Sequence, residues 1–487
     1  MPLALYIRKH NIFLIALLFF LANFILKILF VSGNEIAMDE PFSIYYAQMD
    51  LPSVFRMLKT ENNPALHFIL LHFWIKLFGI GPFSVRFLSV VFSSLTASVI
   101  FLTGKKFFST GTAIAGALIF TFSLFHVSFS HEARVYSLFV LLTALSLYYF
   151  LSLVNRPGSW KPCVALFLVN LLLIYSHYFG FFVVAAELAS LFVSGNIKKI
   201  WKKLLLVSLL LALAYIPNIL VFVHRFSFTV KHGTWVRRPE VTELYGNLNR
   251  FLNSRTVMAV LLLIILVYMV LLLRKRLLFT KIRDFFRSPS SRVLLVWFVF
   301  PYLAMFFLSL RIPMFLDRYI IYTSVSFYLL IALFISTFSI NAKTGIAASA
   351  LLLGMMIFNF SLAPGNNRRV NRVVQVVRDL KARDPGSIVI ISPDYSCLEF
   401  TYTYNNSCFR DYNHTISLLH HENIYPLNDF SSFDKTILVD KKVIFVDCDT
   451  YFAFGKNPIP AGLTPTHFLV QSFPVAGIYT IRWYKPR

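Results

Sequence analysis

Long apolar runs recur along most of this chain, and short basic clusters separate them. A run of about 20 apolar residues is what one helix needs to cross a bilayer, and a helix satisfies its backbone polar groups internally. The first run, NIFLIALLFFLANFILKILFV (11–31), follows Arg8 and Lys9, as a signal peptide would. It is longer than a signal peptide's apolar region and no small-residue cleavage site follows it, so it is expected to stay as a first span. Hydrophobic residues make up 57% of the 487 positions and charged residues only 14%. A soluble domain would carry roughly a quarter charged.

The basic clusters also set a topology. Lys and Arg number 46 against 22 Asp and Glu, a formal net charge of +24. A nucleic-acid binder gathers such charge into one patch. Here it recurs between apolar runs, as the positive-inside rule requires, so no nucleic-acid partner is expected. The clusters are Arg8-Lys9, Lys105-Lys106, Arg156 to Lys161, KKIWKK (198–203), RKRLLFTKIRDFFRSPSSR (274–292) and Lys343. If all are cytoplasmic, two spans separate each neighbouring pair. The pairs fall at 11–32 with 83–103, 110–127 with 135–154, 162–177 with 179–195, 204–223 with 256–273, and 293–310 with 319–338. A last span near 345–362 brings the total to about eleven.

The other loops then share the opposite face. They are 33–82 with Asp39 and Glu40, a short one with SHEARVYS (130–137), one around His177, 224–255, and RIPMFLDRY (311–319). Beyond about Pro364 the pattern changes. Val370, Val373, Val374, Val377 and Leu380 form a helical stripe, IVIISPD (388–394) and KVIFVD (442–447) read as buried strands, and 467–486 reads as a hairpin. The expected fold is a polytopic α-helical membrane domain over 1–363 with a small extracytoplasmic α/β domain over 364–487. Cys397 and Cys408 are candidates for a disulfide on that side. The sequons at Asn405 and Asn413 matter only in a eukaryotic secretory compartment.

The first outer loop is long for an unstructured connection. EPFSIYYAQM and LPSVFRMLK carry aromatic and aliphatic residues at helical spacing, which suggests short helices on the membrane interface. Asp39 and Glu40 precede Pro41, and the plain reading of the pair is a helix start favoured by the dipole. Glu132 and Arg134 in SHEARVYS have a plain reading too, an ion pair or a snorkelling arginine. Both pairs on one face of the membrane make these plain readings weaker than either would be alone.

The acid pair after the first span, then NNPALHFILLHFWIKLFGIGPFSVRFLS (62–89), then HVSFSHEARVYSLFVLL (126–142) closely resemble bacterial GT-C glycosyltransferases. These are relatives of protein O-mannosyltransferases and aminoarabinose transferases. The family's usual proline pair is here Asn63-Pro64, with a single proline, whereas SHEARVYS is intact. The resemblance covers about 35–150 strongly and the later spans weakly, where Asp317-Arg318-Tyr319 fits. It implies a polyprenyl-phosphate-linked sugar as donor, transfer outside the cytoplasm to a glycan, lipid or protein acceptor, and a bacterial inner-membrane location.

The resemblance also assigns roles. Asp39 takes the position of general base, with Glu40 beside it. An ordinary aspartate titrates near 3.9 and is a weak base, but a late proton transfer in an oxocarbenium-like transition state asks little of it. With no glycosyl-enzyme, the anomeric configuration inverts. The leaving lipid phosphate needs poised cations instead of an acid. Arg134 is the first candidate, and Arg318, Arg237, Lys231, His232 and Arg238 are lower ones. Glu132 and Glu40 are expected to orient Arg134 or hold a divalent ion. His131, Tyr136, Asn63 and Pro64 are supporting residues. Five histidines (67, 72, 131, 177 and 232) are candidate metal ligands without paired ligand spacing, so a metal cofactor stays open.

The rival reading is a lipid or solute transporter, for which Glu187 and the intramembrane histidines would line a path. No inverted repeat is visible, and the charge gathers on one face rather than at the midplane. A scaffold without chemistry would leave the acid pair and the HEAR stretch unexplained.

Overall fold

The structure, a computed structural model, describes residues 3–361, 369–476 and 478–487. The boundary expected at 363/364 lies outside the described residues. The helices run α1 (Leu3–Ile28), α2 (Glu40–Gln48), α3 (Leu51–Leu58), α4 (Ala65–Phe78), α5 (Pro82–Phe107), α6 (Thr110–Thr121), α7 (Leu124–Ser130), α8 (Tyr136–Asn155), α9 (Lys161–Ser176), α10 (Gly180–Ser190) and α11 (Ile197–His232). They continue as α12 (Thr242–Phe251), α13 (Arg255–Arg274), α14 (Leu278–Arg287), α15 (Pro289–Ser309), α16 (Asp317–Ile320), α17 (Ser324–Phe338) and α18 (Ala342–Phe358). Two compact units form. The first comprises Met1–Val31, Phe55–His67 and Arg86–Leu362, and the second Ser32–Val54, Phe68–Val85 and Ala363–Arg487.

Among the described residues of the first unit, seven helices are long and apolar enough to cross a membrane, or eight if α6 and α7, bent by 58° at their junction, count as one span. Three more of the expected spans are shorter apolar helices: α9, α10 and α18. The expected 204–223 span and the start of the following loop merge into α11, which runs unbroken to His232. Close packing is built in at Gly104, where an added Cβ would lie 2.5 Å from the Cα of Ala113.

Two charged side chains buried inside this bundle are satisfied internally, as burial demands. The Lys27 ammonium donates to Asn23 Oδ1 at 3.1 Å and Ser93 Oγ at 2.8 Å. The Glu187 carboxyl is fully buried and receives Ser146 Oγ at 2.6 Å and Asn170 Nδ2 at 2.9 and 3.0 Å. A transport path would open that group to water. Here it ties α8, α9 and α10 together.

The second unit carries α19 (Arg369–Arg383), β1 (Ile388–Ser392), α20 (Cys397–Tyr404), α21 (Asn406–Arg410), α22 (Thr415–His421), β2 (Ile424–Pro426), β3 (Val443–Cys448), and the hairpin β4 (His467–Ala476) and β5 (Tyr479–Pro486). The sheet order is β2-β1-β3-β5-β4, with β1, β2 and β3 parallel and β5 antiparallel to both neighbours. Its core joins the expected α19 stripe, Val370, Val373, Val374, Val377 and Leu380, to Val389, Ile391, Ile444, Val446 and Ile481. Each such side chain stabilises the fold by about 1.5–3 kcal/mol on burial. β2, three residues long, has too little pattern to be read from sequence. All four cysteines are buried free thiols, so Cys397 and Cys408 form no disulfide.

The first outer loop contributes to this second unit. Of the two segments expected as interfacial helices, α2 packs on C-terminal residues, while Phe55–His67 belongs to the first unit. α2 buries Ile44, Tyr45 and Ala47. The Tyr45 hydroxyl donates to the Tyr412 carbonyl at 2.9 Å, and its ring lies 5.5 Å from Phe409. The Tyr402 hydroxyl donates to the carbonyl of Ile80 at 2.7 Å. The same aromatic spacing that would seat a helix on lipid seats it on another protein surface.

Candidate functional site

The acid pair begins α2. Asp39 is the N-cap residue, but its side chain makes no capping hydrogen bond. The plain helix-start reading therefore lacks the bond that makes an aspartate cap stabilising. Glu40 is 5% exposed and Asp39 half-buried. Met38, just before them, has φ 57°, the left-handed region. Its N–H donates to Glu399 Oε1 at 2.8 Å, and Glu399 Oε2 accepts from the Tyr479 hydroxyl at 2.6 Å. Burial raises the Glu399 carboxyl above its ordinary range. The bonds from Tyr479 and Met38 pull it back, and Glu35 and Asp39 push it further up. Asp39 is also in electrostatic range of Tyr395.

Glu35 anchors the start of this segment. Its carboxylate accepts the N–H groups of Arg369, Val370 and Asn371 at 2.6, 3.0 and 3.1 Å, capping α19. Those donors have no partner within the helix, and an acid there also complements the dipole.

The HEAR stretch belongs to the first unit and is held from two sides. Ser89 Oγ of α5 donates to the carbonyls of Glu132 at 2.6 Å and Arg134 at 3.5 Å. The His131 ring meets the Lys27 carbonyl of α1 at 2.7 Å. His131 is thereby a structural support. The Tyr136 ring is buried, 5.1 Å from Phe129 and 6.3 Å from His177. Glu132 is half-buried, and it is its backbone carbonyl that Ser89 holds.

Pinned in this way, Arg134 faces a set of groups from distant segments. It is in electrostatic range of Glu61, His67 and His177. Arg318 also acts on His177, and its guanidinium lies over Trp235 at 5.1 Å and Tyr319 at 5.4 Å. The His177 ring stacks on Phe139 at 4.7 Å and Phe179 at 5.1 Å. Arg225 acts on Glu61 and donates to Asn62 Oδ1 at 3.0 Å. Burial raises the Glu61 carboxyl above its ordinary value, and Arg225 and then Arg134 lower it. Pro64 is buried and Asn63 half-buried at the entry to α4. Lys231, Arg237 and Arg238 are exposed, and it is Trp235 of their loop that reaches Arg318.

The structure places the expected Arg134 and Arg318 in range of His177, and sets beside the expected residues Glu61, Asn62, Arg225, Glu35 and Glu399, which the sequence did not single out. Glu61 and Asn62 stand next to Asn63-Pro64, so an acid abutting that motif was a usable signal. Arg225 lies on α11 beyond the expected 204–223 span, outside the loop cations singled out from sequence. Arginine forks around a single carboxylate suit a phosphate, whose oxygens accept paired N–H bonds. For a metal, among the described residues no three His, Cys, Asp or Glu side chains come together in a way that could hold an ion. The expected divalent ion finds no protein ligand set there, and no step below runs through one.

Residues 62–221 match the family model described as dolichyl-phosphate-mannose-protein mannosyltransferase. The match covers about a third of the chain and makes these residues similar to that family. In fold the chain is similar to ArnT from Cupriavidus metallidurans in the apo state, at TM-score 0.57 and 14% identity over 99% of this chain and 98% of that one. ArnT bound to undecaprenyl phosphate aligns at TM-score 0.58 and 13% identity, over 98% and 97%. The archaeal oligosaccharyltransferase AglB from Archaeoglobus fulgidus, in complex with an inhibitory peptide and a dolichol-phosphate, aligns at TM-score 0.53 and 12% identity, over 97% of this chain and 74% of that one. No curated protein matches the chain by sequence.

Proposed function

We propose that this chain is a membrane glycosyltransferase of the GT-C superfamily, of the protein-O-mannosyltransferase and aminoarabinose-transferase kind, and that it moves a sugar from a polyprenyl-phosphate donor to an acceptor hydroxyl outside the cytoplasm, with inversion. The observation that carries this reading is the convergence of Arg134 and Arg318 on His177, and of Arg134 and Arg225 on Glu61, next to the family's own motifs. Arg134 holds the donor phosphate with Arg318 in support, and Lys231 and Arg237 help attract it. The acceptor oxygen attacks the anomeric carbon while the bond from that carbon to the phosphate oxygen breaks. Asp39 takes the acceptor's proton and the lipid phosphate leaves as an anion. Cations preset around that anion stabilise the developing charge without reorganising. Glu40 and Glu132 keep charged neighbours in place, and a divalent ion remains an expectation outside these steps.

The lipid tail would lie along an apolar groove. One of about 510 Å³ runs beside α15, lined by Leu295, Val296, Val299, Phe300, Leu303 and Ala304. The likeness to ArnT bound to undecaprenyl phosphate supports a lipid-phosphate donor, and the positive-inside pattern supports an inner-membrane protein with its C-terminal domain outside. The test is purified protein in vesicles loaded with polyprenyl-phosphate sugar and a panel of hydroxyl acceptors. Free lipid phosphate and an inverted glycoside in equal amounts are expected. A retained configuration would contradict the single-displacement role of Asp39, and donor movement across the bilayer without transfer would favour the transporter.

A further inference from the structure

A residue with a side chain rarely adopts the left-handed conformation unless its surroundings hold it there. Met38 does so at φ 57°, and its side chain is 75% exposed, so packing is not what fixes it. Its N–H is fixed instead, by the Glu399 carboxylate 361 residues further along the chain. Glu399 has little freedom of its own. It lies on α20, whose Cys397 and Phe400 sit in the core of the second unit, and Tyr479 of β5 holds its other oxygen. Glu35, three residues before Met38, is bound to the first turn of α19. The stretch from Glu35 to Glu40 therefore hangs from the C-terminal residues at two points, with Asp39 directly after the second.

We infer that Glu399 is a positioning residue for Asp39: by gripping the Met38 N–H it sets the turn that aims the Asp39 carboxylate. This rests on the reading of Asp39 as the base. A C-terminal domain that only selected an acceptor would need no such grip on the first loop.

The experiment is a double-mutant cycle in the full chain with polyprenyl-phosphate sugar as substrate. Glu399→Ala should lower kcat at least tenfold while donor KM changes less than threefold and the protein stays folded by thermal unfolding. Glu399→Gln keeps an acceptor oxygen for the Met38 N–H and should stay within threefold of wild type. In an Asp39→Asn background, Glu399→Ala should cost nothing further, because residues that act as a unit are non-additive. If Glu399→Ala does not fold, Tyr479→Phe replaces it, with a two- to fivefold kcat loss expected that vanishes beside Asp39→Asn. Unchanged kcat, or the same loss in both backgrounds, overturns the inference. Full activity of Asp39→Asn alone overturns the reading of Asp39 itself, so the two failures are distinguishable.

Discussion

The two units hold their charged groups in opposite ways. In the first, cations converge from the ends of several helices, and Arg134 sits on a turn fixed by neighbours in the bundle, Ser89 and the Lys27 carbonyl. In the second, an acid sits on a short turn tied to residues more than 300 positions away, where Glu35 accepts from the Arg369 N–H and the Met38 N–H donates to Glu399. The first arrangement is rigid because helices are rigid. The second depends on two carboxylates, Glu35 on the turn itself and Glu399 on α20. Binding an invariant phosphate suits the former. Aiming one oxygen at an acceptor suits a loop that a separate domain adjusts.

That contrast can be broken by mutation. Arg134→Ala should lower kcat/KM for the lipid donor about a hundredfold or more, the scale for removing a preset charge from a transition state, measured in vesicles at saturating acceptor. Arg318→Ala should cost less, about tenfold, because Arg318 supports the phosphate held by Arg134 and its charge is already shared with the Trp235 and Tyr319 rings. A larger loss than for Arg134 would reverse their assigned rank. Glu61→Gln should tighten donor binding a few-fold, since the phosphate no longer competes with a carboxylate for Arg225 and Arg134. Weaker binding by titration would mean that Glu61 orients the arginines rather than occupying them.

The smallest expected effect is on stability. The Glu399 carboxyl is raised above 4.5 in the folded protein, so the folded state binds its proton more tightly than the unfolded one. The stability this contributes is complete below pH 4.5 and is lost as pH rises through the raised value. Wild type should therefore lose melting temperature relative to Glu399→Gln as pH climbs through that window. A parallel pair of curves would contradict the shift.

How much of this was legible follows from where each bond lies. Apolar runs and basic clusters are local, so the eleven expected runs all appear as helices, though only seven or eight are long enough to span by themselves. The break at Phe122-Ser123 between α6 and α7 and the unbroken α11 were not visible, because apolar residues continue through a kink and helix propensity continues past a membrane surface. The α19 stripe was plain, being periodic over one helix. HEAR was legible as a motif, while Arg225, which shares Glu61 with Arg134, was not, since nothing local distinguishes one cation at the end of a long apolar run. Glu399 was least legible of all. Its role comes from a hydrogen bond to a backbone N–H, which leaves no mark on the identity of Met38.

The central claim is a division of labour, in which arginines of the first unit bind and Asp39 reacts. It is tested most directly by measuring donor affinity and single-turnover transfer for Asp39→Asn and Arg134→Lys side by side. Asp39→Asn should bind polyprenyl-phosphate sugar as wild type does and transfer it at least about a hundredfold more slowly. Arg134→Lys, which keeps the charge but loses the fork, should bind it more weakly. Normal transfer by folded Asp39→Asn would contradict the account and move the search for the base to Glu132.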